Sequence, residues 1–102
     1  MPYALRHSAT GTLLARVQRN SYKLEYYGIV QWESAPAAPA VAEALALAGV
    51  PPEHEAGRLD AWETILLSER EAKLANVKLR NDPRRTVHYR DGVIGATAAS
   101  NA

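Results

Sequence analysis

The chain has 102 residues, 47% of them hydrophobic and 23% charged, with a net charge of +1. That composition fits one small domain over residues 1–102 with a modest core, and excludes both global disorder and a strong field for polyanions. With no cysteine, disulfides, thiolate metal sites and a cysteine nucleophile are ruled out.

Tyr3–His7 reads as a short strand, followed by a turn-forming Ser8-Ala9-Thr10-Gly11 loop. From Thr12 to Arg19 the chain alternates, with Leu13, Ala15 and Val17 on one face and Leu14, Arg16 and Gln18 on the other. Arg19-Asn20-Ser21 breaks the run. The clearest alternation follows: Leu24, Tyr26, Gly28, Val30 and Trp32 share one face, Tyr27 and Ile29 the other. The spacing predicts a three-stranded antiparallel meander. Gly28, inside a strand, points to a bulge or to close approach by another backbone.

Ser34–Pro39 is a connector, and Pro39 suits the start of a helix. Val41, Ala44, Leu45 and Ala48 then recur at helical spacing, and Gly49-Val50-Pro51-Pro52 stops the run. Asp60 with Glu63 resembles a capping box opening a second helix to about Ala75, with Trp62, Ile65 and Leu66 inward. Asn76–Arg80 fits either a longer helix or a strand. Thr86–Gly95 reads as a hairpin about Asp91-Gly92. Ala96–Ala102 has the composition of a weakly structured tail.

The expected fold is α+β: an antiparallel sheet, made of the N-terminal meander plus the C-terminal hairpin, with two helices on one face. Leu24, Tyr26, Val30 and Trp32 are expected beneath Val41, Leu45, Trp62, Ile65 and Leu66.

No motif in the chain specifies a reaction, and no cofactor or metal is expected. The leading reading is a non-enzymatic protein–protein interaction module, structural, adaptor or regulatory, forming homo-oligomers or binding another protein. Leu14, Tyr27, Ile29, Val93 and Ile94 are the expected interface, because they stand on what should be the solvent face of the sheet. A nucleic-acid-binding module is the alternative, with Arg16, Arg19, Lys23, Arg84, Arg85 and Arg90 on a basic strand layer. A small hydrolase or ligand-binding protein around His54 is a third reading, with Glu53, His54 and Asp60 doing acid–base work if the loop folds back; Glu53 and Glu55 flank His54 but as chain neighbours do not converge with it on one metal. No apolar run reaches the roughly 18–20 residues of a membrane span, and Met1–His7 lacks a leader pattern, so a cytoplasmic protein without membrane contact is expected.

Overall fold

The computed structural model describes residues 1–50 and 57–98. Strand β1 (Tyr3–His7) uses both of its edges. On one it pairs antiparallel with β4 (Trp62–Leu66), setting Ala4 opposite Ile65 and Arg6 opposite Glu63. On the other it receives the splayed base of a ribbon. His7 N–H donates to the Thr12 carbonyl and Leu14 N–H to the Leu5 carbonyl, while Tyr3 and Trp32 exchange both bonds. The ribbon itself is β2 (Ala15–Arg19) paired antiparallel with β3 (Glu25–Ile29). The Gly11–Leu13 segment then bonds outward to β5 (Arg85–Arg90), through Leu13 N–H to Val87 and Tyr89 N–H to Gly11. Strand β5 forms the expected hairpin with β6 (Val93–Ala98). Asp91 and Gly92 both have positive φ, 53° and 77°, as a two-residue type I′ turn requires. Among the described residues, six antiparallel strands in three two-stranded ladders and two helices make an α+β fold. Strand β6 extends two residues beyond Ala96, so the run expected to be a weak tail begins as sheet.

Helix α1 (Ala38–Leu47) carries its proline in the first turn and ends as its sequence predicts. Gly49 takes φ 80°, Gly49 N–H reaches the Ala46 carbonyl and Val50 N–H the Leu45 carbonyl, and Val50 packs back on the core. This is a Schellman stop. The second helix differs from its expected bounds. Leu59–Ala61 is a single 3-10 turn, Trp62–Leu66 is β4, and α2 runs over Glu69–Leu79. The working capping box is Ser68 and Glu71, not Asp60 and Glu63: the Ser68 hydroxyl accepts from Glu71 N–H at 3.0 Å, and Glu71 accepts from Ser68 N–H at 2.9 Å. Two forces favour a strand at 62–66. Thr64 and Ile65 are β-branched, and the free edge of β1 has backbone groups that need partners. Helix α2 continues through the ambiguous 76–79 stretch and ends at Arg80, which is left-handed with φ 54°.

The helices lie against different faces of the sheet, not one. Ala4, Leu13, Ile29, Val87 and Ile94 form a core with Ala72, Ala75 and Leu79 of α2. Their chain neighbours Leu5, Leu14 and Val30 form another with Val41, Ala44 and Leu45 of α1. Consecutive strand residues point to opposite faces. Apolar pairs such as Leu13-Leu14 and Ile29-Val30 therefore demand cover on both sides. The expected single core is divided accordingly. Val30, Trp32 and Trp62 pack with α1, Ile65 packs with α2, and Leu24 and Leu66 are exposed. The meander also needs amendment: the partner along the length of β1 is β4, and only isolated bonds join it to the 12–14 segment.

Candidate functional site

The structure withdraws most of the expected interface. Leu14, Ile29 and Ile94 are 4%, 1% and 7% exposed, covered by the chain's own helices. Tyr27 is half-buried against the α2 core. Val93 alone stays open, 66% exposed. The assumption of one uncovered sheet face is what failed.

The cationic residues do not form one surface either. Arg16 stands on the α1 side, lining a cavity with Ala40, Glu43 and Leu47 and donating to the Val17 carbonyl. Arg85 stands on the α2 side, donating to the Lys78 carbonyl. Arg84 is paired with Asp82, Arg19 with Glu25, and Arg90 donates to the Thr10 carbonyl. Lys23 is exposed in the β2–β3 turn. Hydrogen bonding from Arg84 holds the Asp82 carboxyl below its ordinary range. Glu53, His54 and Glu55 lie outside the described residues. Among the described residues no group of three metal-ligating side chains converges.

What the fold does leave available is backbone. In β3, Gly28 and Tyr26 face β2, so the N–H groups of Tyr27 and Ile29 point off the sheet. Both are met by asparagines, Asn76 from within α2 and Asn81 from the turn just after it. Asn76 Oδ1 accepts from Ile29 N–H at 2.9 Å, and Asn81 Oδ1 accepts from Tyr27 N–H at 2.6 Å. Asn81 reaches its donor from a left-handed residue, φ 54°. Gly28 makes the approach feasible, because a Cβ there would lie 3.0 Å from Asn76 Oδ1 and 2.9 Å from the Tyr26 ring. The close approach expected at Gly28 is thus by side chains, not by another backbone.

The opposite end of the sheet has no such cover. Val87 and Tyr89 of β5 face the 11–13 segment, so Thr86, His88 and Arg90 face β6. Their partners on β6 are Thr97, Gly95 and Val93. Ile94, Ala96 and Ala98 therefore turn their N–H and C=O groups outward. Among the described residues nothing bonds them. The strand Val93-Ile94-Gly95-Ala96-Thr97-Ala98 contains no charge and no proline, the usual guards of an edge. Strand β4 also ends the sheet, but it is shorter and carries an exposed Glu63 carboxylate, bonded to Arg6 at 2.5 Å.

Helix α2 flanks this open edge. The Glu71 carboxylate faces the Tyr89 side chain of β5. The Ser68 backbone N–H first, and then Tyr89, hold the Glu71 carboxyl below its ordinary range, while the same contact raises Tyr89. Leu74, three residues on, shares that flank of the helix and is 41% exposed. Two other open features are less developed. A cavity of about 710 Å³ between Trp32 and α2 mixes Glu33, Glu69 and Lys73. The tip of the β2–β3 ribbon exposes Val17, Tyr22 and Leu24.

Neither asparagine, nor Ala96 or Ala98, stands out in the sequence as functional. The available signals were weak: an asparagine is a poor helix former in the middle of α2, and six uncharged residues end the hairpin. Comparison with family models, curated proteins and solved structures returns no match.

Proposed function

We propose that this protein is a non-enzymatic interaction module that binds a protein partner as an added strand along β6. One observation carries the reading: Ile94, Ala96 and Ala98 present outward backbone groups, unbonded among the described residues, on a strand with no charge or proline. Main-chain bonds would supply affinity, and alternate side chains specificity. The capped edge of β3 supports the reading by contrast, since the same sheet carries an edge whose outward N–H groups are occupied. The reading keeps the cytoplasmic location and the absence of a cofactor expected from the sequence. Among the described residues no helix is long and apolar enough to cross a membrane.

A displayed library of random heptapeptides tests it. The native protein should enrich extended, alternating sequences, and these should protect the Ile94, Ala96 and Ala98 amides from hydrogen exchange. Ala96→Pro should abolish the enrichment, because proline removes an outward donor and leaves the β5 bonds intact. Equal enrichment by the native protein and a folded Ala96→Pro variant, or no enrichment by either with the protein held at a dilution where it is monomeric, would overturn strand addition by peptides.

A further inference from the structure

Resting on that reading, we infer that the strand added to β6 is β6 of a second copy, paired antiparallel about a two-fold axis at Ala96. The register follows from the outward groups. An axis at Ala96 sets Ala96 opposite itself and Ile94 opposite Ala98 of the other copy. Every outward N–H and C=O of those three residues then finds a partner. An axis at Gly95 leaves the outward groups of Ala98 unpaired.

Two features make the strand self-complementary. First, the Ala96 register opposes the large Ile94 to the small Ala98, and Gly95 to Thr97, so no two bulky groups meet in these pairs. Second, the strand is uncharged, so no like charges meet across the axis. An axis perpendicular to the sheet also sets the two α2 helices on one face, where Leu74 of each is exposed. A closed two-fold pair consumes the open edge and leaves β4 as the outer end of a doubled sheet.

Sedimentation equilibrium of the full chain across the micromolar range is the direct test, combined with hydrogen exchange at low and high protein concentration. The expected result is a monomer–dimer equilibrium in which the Ile94, Ala96 and Ala98 amides gain protection as the dimer forms. Ala96→Pro should weaken association roughly tenfold or more. Ala98→Pro, at an exposed position near the strand end, removes another outward donor and serves if Ala96→Pro does not fold. A monomer at all concentrations overturns the self-pairing. If random peptides still bind β6, strand addition stands and only the identity of the partner was wrong. A dimer that leaves these amides unprotected and ignores both prolines also overturns it, because the contact then lies elsewhere.

Discussion

Strands β3 and β6 are both flanked by α2, yet their outer edges are treated in opposite ways. On β3 the outward N–H groups of Tyr27 and Ile29 are bonded by Asn81 and Asn76, and a glycine admits the nearer asparagine. On β6 the outward groups of Ile94, Ala96 and Ala98 meet nothing among the described residues. A buried donor without a partner costs about 1–3 kcal/mol. Ile29 is buried, so its N–H needs a bond within the chain. Ala98 is exposed, so water can serve its N–H until a strand arrives. Burial alone does not separate the two edges, since Ile94 is 7% exposed and its outward N–H is still unbonded among the described residues; the difference teaches that the reach of two asparagine side chains from α2 and the turn after it decides which edge the chain closes for itself.

The comparison presumes that α2 is anchored to both edges through one core, and Leu79 is fully buried in it. Leu79→Ala should therefore show the largest effect, about 2–5 kcal/mol in chemical denaturation. A loss under about 1 kcal/mol would mean that α2 does not hold the two edges together. Next comes the capped edge itself. Asn76→Ala should cost about 1–3 kcal/mol and speed exchange of the Ile29 amide, since it strands that buried donor. Combining it with Asn81→Ala should turn β3 into a second open edge. New self-association of the double variant that survives Ala96→Pro would sharpen the contrast, whereas unchanged exchange at Ile29 would break it.

Removing the helix cap separates the two ends of α2. The Ser68–Glu71 box sits at the end facing β5, and Asn76 and Asn81 toward the end bonded to β3. Ser68→Ala should cost about 1 kcal/mol and raise exchange in the first turn of α2 before it affects Ile29. Uniform loosening along the helix would argue against two independent anchorages. The smallest effect is that of pH. The lowered pKa of Glu71 means its contribution is fully present above the ordinary carboxyl range and is lost as pH falls through the lowered folded value. Thermal melts of the native protein and Glu71→Gln should therefore converge on acidification. A gap that stays constant through the acid range would remove Glu71 from the anchor on β5.

What the sequence determined by itself was local. Strand β1, the helix stop at Gly49-Val50 and the Asp91-Gly92 turn were all legible, because backbone dihedral preferences and side-chain alternation act within a few residues. The Trp62–Leu66 segment was misread because Trp62, Ile65 and Leu66 also fit a helical stripe; only the unpaired edge of β1, more than fifty residues away, selects the strand. The candidate site was almost invisible. Leu14 and Ile29 looked like surface because nothing local announces that a helix will cover the second face. Asn76 and Asn81 looked like ordinary polar residues until the fold brought them to β3. Which edge is closed and which stays open was decided by tertiary structure alone. Strand-edge hydrogen bonds join groups distant in sequence, and their donors belong to every residue except proline, so no side-chain pattern encodes their partners.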